Sequence, residues 1–451
     1  MEGTSRGRGR GTSEPAGTPR RSVSLLGAVA IGIGGMVGGG IFAVLGEAVA
    51  MGGGGTPVAF ALAGAVAAST AYSYARLSVA HPSRGGTITF IDVAFGRNLL
   101  SGSANLMLWL SYLVTIALYA LAFGSYAATF LPGPASPLVR HLLVSAAVVV
   151  PAAVNIASAR AVSRVETLVV ILKLGLLGVV VAAGASGVDP AAIAPATWGS
   201  PLSLVVAGMV IFVAYEGFEL IANAAEDVRN PARTLPRAFA LAVGVVVALY
   251  VVVAAITVSA VSAAEIDQAR DYALAVAAEP SLGRVGFVLV AAAALLATVS
   301  AINATIYGNA RLGYILARDG ELSASQAEER HDVPVAGTVT VAAISLVLAN
   351  TVPLQSVAVI ASASFLLVFT VTNAAAVRLA PAIGARPVLV RTATALSALA
   401  LVVLVGHAAT TNPSALAVLA AFVIASVAVE AWYGRRVRGH FLGRSYHRAT
   451  G

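Results

Sequence analysis

Three groups of residues stand where ionisable or helix-breaking side chains are costly. Lys173 is the only lysine beside 27 arginines, and it lies in the apolar run ETLVVILKLGLLGVVV. A guanidinium cannot deprotonate in a protein, whereas an ammonium taken out of water can surrender its proton near neutrality. Five apolar residues precede it and more than seven follow, which makes snorkelling to an interface awkward. The residue type and place point to a proton carrier. Glu216 and Glu219 flank Gly217 within FVAYEGFELIANAAED (212–227), in an apolar run that begins near Leu202. Each carboxylate at membrane depth costs about 2.5–3.5 kcal/mol on insertion scales, so a wet cavity or a pairing role is implied. Third, GIGGMVGGGIF (32–42) places six glycines between Gly32 and Gly40.

The elements that position these groups are membrane helices. The chain is 58% hydrophobic and 11% charged, with a mean hydropathy of +0.88. Its apolar runs lack the strict alternation of barrel strands. Twelve spans are expected, near 24–50, 57–80, 98–131, 138–159, 165–187, 202–228, 236–261, 284–310, 334–352, 355–380, 390–410 and 413–434. Of the arginines, 24 of 27 fall on the side of the two tails, the exceptions being Arg140, Arg270 and Arg284. Both termini are therefore expected in the cytoplasm, as an even span count requires. Residues 1–22 read as a disordered basic tail and 435–451 as a second basic tail, both orientation anchors beside the bilayer.

Several functions are disfavoured. With no cysteine, thiolate metal sites and cysteine nucleophiles are excluded, and the six histidines show no metal-binding spacing, so neither metal nor cofactor is expected. The net charge of +8 is explained by arginine beside a membrane, without nucleic acid. No span-free stretch is long enough for a large soluble domain, which disfavours a receptor with an output module. A transporter, a channel and an intramembrane enzyme remain. The enzyme fares worst: Ser300, Glu219 and Lys173 are available, but GxSxG and HExxH arrangements are missing.

Each interior glycine costs a helix about 1 kcal/mol, so the first span is expected to break at the cluster. Close packing is the competing reading, since Gly34/Gly38 and Gly35/Gly39 have GxxxG spacing; six glycines pointing all around the helix favour the break. Unwound backbone inside a membrane must line a cavity or be buried in protein. Transporters with inverted repeats place such breaks in corresponding helices, and Glu216-Gly217 in the sixth span is the expected second one. Half-helix ends offer N–H groups to an anion and carbonyls to a cation, which suits a zwitterion. The register puts a carboxylate on Gly38, Gly39 and Gly40, and an ammonium on carbonyls near Met36, Val213 and Glu216. Ala214 and Gly217 complete the second break, with Ile41, Phe42, Tyr215, Phe218 and Tyr112 flanking. Charged Lys173 is expected to bind carbonyls of the first span together with a hydroxyl such as Ser300, and deprotonation to release them. Glu219 is a second candidate for proton transfer or gating; Glu47 is either a gate or part of a vestibule wall.

At these residues the chain resembles the amino acid–polyamine–organocation superfamily of permeases, from about 25 to 380. GIGGMVGGGIF is similar to that family's first-helix motif, HPSRGGTITFIDVAFG (81–96) to its first cytoplasmic loop, FVAYEGFELIANAAEDVRNPARTLPRA (212–238) to its sixth helix and following loop, and NARLGYILARDGEL (309–322) to its loop after helix eight. The resemblance implies an all-α, leucine-transporter-type fold. Its five-plus-five inverted repeat would occupy about 24–187 and 202–380, with helices 1 and 6 broken and two extra helices at about 390–434. It also implies that Lys173 matches the lysine replacing sodium in proton-coupled members, and that Glu219 falls on the acidic position of the GFE motif. Gly39 stands where a serine or threonine is usual, and Glu216 where the residue is often apolar. The expected function is proton-coupled uptake of an amino acid across the cytoplasmic membrane by alternating access. A proton-independent amino acid or polyamine exchanger is the alternative, and a channel or membrane sensor is a rival of another class.

Overall fold

A computed structural model describes residues 21–157, 159–329 and 333–436. The expected tails lie outside this range except at residues 21–22 and 435–436. Every named element is helical, and the described residues show isolated β-bridges only. Ten helices are long and apolar enough to cross a membrane, or eleven when a bent pair counts as one span. The expected ninth span, a helix over Val335–Thr351 of 17 residues, is shorter than the others. At 1.5 Å per residue it reaches about 25 Å, near the lower limit for crossing.

The bent pair is the first span. Its helix runs Leu25–Met36, stops, and resumes as Gly40–Gly52 at an angle of 52°. The second and third spans are Thr56–Ala80 and Leu99–Ala128. Asn98 caps the third: its side chain accepts from the Leu100 and Ser101 amides, while the Ser101 hydroxyl accepts from the Asn98 amide. Between them, where a loop was expected, Thr87–Phe95 forms a nine-residue helix ended by Gly96 at φ 75°. Pro137–Ala157 and Ala159–Gly184 follow.

The sixth span opens with Ser200 as cap and Pro201 in its first turn, and its α-helix ends at Val210. A 3-10 turn over Ile211–Tyr215 leads to extended Glu216, to Gly217 at φ 118°, and to a short helix over Leu220–Asn223. Pro231–Ala260 is the seventh span. The long helix Ala273–Arg318 is two helices joined at Gly283 (φ 63°), and its second part extends the expected 284–310 to Arg318. A short helix over Ala263–Gln268, capped by Ser262 and Glu265, precedes it. Leu354–Leu379, Pro387–Thr411 and Pro413–Arg436 end the bundle.

Candidate functional site: two helix breaks at the end of a cavity

The two breaks touch through backbone. A Cβ on Gly35 would lie 2.7 Å from the Gly217 carbonyl oxygen, and one on Gly40 would lie 2.8 Å from Cα of Ala214. The other glycines face other neighbours. A Cβ on Gly32 would meet Ile221 and, at 2.9 Å, Ala242; one on Gly39 would lie 2.5 Å from the Tyr119 ring and 2.9 Å from the Thr298 methyl. The cluster therefore both interrupts the helix and packs it on several sides at once. At Gly39 no room remains for the side chain that the resembling family usually carries.

A cavity of about 740 Å³ ends on these breaks. Gly34, Gly35, Glu216, Gly217, Tyr112 and Tyr119 line its inner part, with Lys173 and Ser300 on the fifth and eighth spans. Its other end is bordered by Arg84, Asn223 and Arg311, on the side of the bundle where the first helix begins. There the Val23 amide donates to the Asp227 carbonyl at 2.9 Å and the Arg229 amide to the Val23 carbonyl at 2.9 Å, joining the start of the first span to the segment after the sixth.

Lys173, 2% exposed, donates from Nζ to the Gly34 carbonyl at 3.0 Å. That oxygen belongs to the last turn before the break, where helical acceptors lose their partners. Glu219 accepts from the Gly217 amide at 2.8 Å through Oε2 and from the Tyr112 hydroxyl at 3.0 Å through Oε1. Glu216 accepts from the Tyr119 hydroxyl at 3.3 Å. Glu219 thus stitches the second break together from behind, while Glu216 shares the cavity wall.

The remaining expected residues lie off the cavity lining. The Met36 carbonyl accepts from the Tyr250 hydroxyl at 2.7 Å. The Val213 amide donates to Ser362 Oγ at 3.0 Å, and its carbonyl accepts from the Glu216 amide at 3.1 Å. Tyr215 turns toward the second span, donating to the Phe60 carbonyl at 2.9 Å. Phe218 packs on Tyr74 and Phe369, and Ile41, Ala214 and Gly38 to Gly40 are buried. Sequence reasoning passed over Tyr119, Tyr250 and Ser362. Tyr119 was detectable: it lies seven residues after Tyr112, two turns along one helix face.

The opposite end of the first span is closed. Gly46 abuts the Arg270 carbonyl with no space for a side chain. Glu47, 5% exposed, pairs with Arg270 at 3.7 Å. Beside it Asp271 pairs with Arg140 at 3.2 Å and accepts from the Ser125 hydroxyl at 3.1 Å. Glu47 therefore belongs to a closed layer of charge pairs and not to an open vestibule wall.

Near the cavity mouth, the Thr87–Phe95 helix is tied to the third and eighth spans through Arg97, which pairs with Asp92 at 3.2 Å and Asp319 at 2.9 Å. Burial pushes the Asp92 carboxyl above its ordinary range, against the pull of Asn105 and Arg97. Among the described residues no group of acidic or histidine side chains is arranged to hold a metal ion.

Comparison with known proteins agrees with this architecture. The family model described as amino acid permease matches residues 23–446. An inner membrane transport protein of Escherichia coli is 37% identical, over 80% of this chain and 84% of its own. An uncharacterized protein of Methanocaldococcus jannaschii is 34% identical, over 77% of this chain and 80% of its own. A branched-chain amino acid permease of Bacillus subtilis is 25% identical, over 79% and 80% respectively.

Proposed function

From the premise that this chain belongs to the amino acid permease family, we propose that it carries an amino acid across the cytoplasmic membrane with protons, by alternating access, both tails being cytoplasmic. The observation that carries this reading is the 740 Å³ cavity ending on two broken helices, with the sole lysine on its wall bonded to a carbonyl of the first break. With the tails inside, the cavity faces the cytoplasm and the Glu47–Arg270 layer closes the outside.

Lys173 is the coupling group. As an ammonium it holds the Gly34 carbonyl where a sodium ion would otherwise serve, fixing the first half of span 1 against the fifth. Ser300, on the same wall, is the hydroxyl that completes this site. Loss of the proton frees the Gly34 carbonyl, and the half-helix Leu25–Met36 can then move relative to the fifth and eighth spans. The β-type link at Val23 makes the segment after the sixth span travel with it. The solute binds where Gly35, Glu216 and Gly217 meet the cavity. Met36, Gly38, Gly39, Gly40, Ile41, Val213, Ala214 and Tyr215 shape that place from behind and become part of its surface as the breaks separate. Glu219 holds the second break in its extended form. Ten spans built as two inverted repeats of five, plus two further helices, fit the breaks in the first and sixth spans.

Uptake of labelled amino acids into proteoliposomes under an imposed pH gradient tests the reading. Concentrative uptake that a protonophore collapses is expected. Uptake that ignores the protonophore and requires internal substrate would assign the protein to exchange instead.

A further inference from the structure

One buried ionisable group lies apart from the cavity. Glu47, in the outer half of the first span, is 5% exposed and does not line the cavity wall. Its Oε2 accepts no hydrogen bond among the described residues and lies 3.7 Å from Nη1 of Arg270. That is long for a charge-assisted hydrogen bond, which forms at about 2.7–2.9 Å. The other terminal nitrogen of the same guanidinium is bonded to Asp267, so two carboxylates share one cation. Asp271, the remaining charge facing Glu47, is satisfied elsewhere: it pairs with Arg140 at 3.2 Å and accepts from the Ser125 hydroxyl at 3.1 Å. On the third span the Tyr126 hydroxyl is committed to the Phe42 carbonyl at 3.4 Å. Glu47 is therefore the weakly held member of the layer, and it depends on a partner from another segment. Arg270, its side chain 34% exposed, stands between Glu47 and the water outside, and its carbonyl rests on Gly46. If the half-helix Gly40–Gly52 moves away from that segment, Arg270 stays with Asp267 and Glu47 loses its only cation.

We propose that Glu47 is a second proton-binding site, loaded from the outside, and that taking a proton there opens the outer half of the first span. The transport reading above supplies the orientation on which this rests. The inference goes beyond it, because Lys173 acts at the cavity and Glu47 on the closed side. The proton arrives from external water past the half-exposed guanidinium and binds Oε2, while Arg270 keeps its charge and its bond to Asp267. A buried carboxylate without its cation is costly, whereas a neutral carboxyl loses little when Arg270 withdraws. The closed layer then parts most readily when the outside is acid.

The chain has no cysteine, so Ala43→Cys reports the opening by its reaction with an impermeant maleimide applied to intact cells making the full-length protein. Pro134→Cys, on the exposed loop after the third span, is the reference, since its rate carries the ordinary pH dependence of a thiolate. The ratio of the two rates should rise roughly two- to fivefold between about pH 7.5 and about pH 5.5, the range of one partly exposed ion pair. With Glu47→Gln added, the ratio should stand at its acid value at both pH values. Asp271→Asn should leave the rise intact, because that carboxylate has its own arginine. A ratio that does not change with pH in the Glu47 protein overturns the proposal. So does a rise that survives Glu47→Gln, a ratio fixed by Glu47→Gln at its neutral value, or a rise abolished by Asp271→Asn. Should Glu47→Gln fail to fold, judged by size exclusion, the pH dependence with Glu47 present and the Asp271→Asn result still decide. Labelling needs no solute, so the two readings fail separately: a flat ratio in a protein that accumulates amino acids with protons overturns this inference alone, and an acid-dependent ratio in a protein that moves no amino acid overturns the transport reading alone.

Discussion

Replacing Gly217 with alanine tests the contact between the two breaks. At φ 118° Gly217 lies in a region that side chains rarely enter, and holding another residue there costs about 1–3 kcal/mol. The added Cβ would also lie 2.6 Å from the Met36 amide nitrogen and collide with the Gly35 carbonyl carbon. Those are backbone atoms, which cannot swing aside as a side chain tip can, so overpacking adds about 1–3 kcal/mol. Together Gly217→Ala should cost about 2–6 kcal/mol, a large share of the 5–15 kcal/mol by which folded proteins typically exceed their unfolded states. Gly244→Ala is the matched control, because its Cβ would have nothing within 4 Å and its helix would gain about 1 kcal/mol. Purified proteins are heated in detergent and the folded fraction followed by size exclusion, with proteoliposome uptake measured in parallel. Gly217→Ala should melt well below wild type and lose uptake, while Gly244→Ala melts at or above it. A Gly217→Ala protein with wild-type melting and full uptake would refute the argument that the breaks need backbone contact.

Three further perturbations address other parts of the account. Since the chain has no cysteine, Ala43→Cys offers a single label in the closed half of the first span; adding Arg270→Ala should speed its reaction with an impermeant maleimide from outside roughly two- to fivefold, the range of one partly exposed ion pair. Asn98→Ala removes the cap of the third span and should lower stability by about 1 kcal/mol, read as a lower melting temperature with an unchanged KM for uptake. Because burial raises the Asp92 carboxyl, its contribution to stability is fully present below the ordinary carboxylate range and is lost as pH rises through its folded-state value; thermal stability of wild type should therefore fall over that interval relative to Asp92→Asn, and parallel profiles would contradict the stated cause.

Much of this site can be read from local composition, and the rest depends on long-range contact. Six glycines in nine positions weaken one helix enough to announce its break, and a charged pair around Gly217 announces the other. Lys173 stands out as a lone residue type in an apolar run. Their meeting is another matter: that Gly35 rests on Gly217 and Gly40 on Ala214 follows from how two distant spans cross. Side-chain direction was also hidden. Tyr215 and Glu216 are adjacent in sequence, yet the 3-10 turn and extended linker send one to Phe60 and the other to the cavity wall. The helix Thr87–Phe95 was missed because TITFIDVAF is short and rich in β-branched residues, and tertiary packing outweighs that weak preference.

The central claim is that proton coupling passes through Lys173. Uptake of the preferred amino acid into proteoliposomes, with and without an imposed pH gradient, is compared for wild type, Lys173→Ala and Lys173→Arg. The account predicts gradient-driven accumulation for wild type, downhill movement insensitive to the gradient for Lys173→Ala, and little net uptake for Lys173→Arg, whose charge cannot leave. Gradient-driven accumulation by Lys173→Ala with the pH dependence of wild type would contradict it.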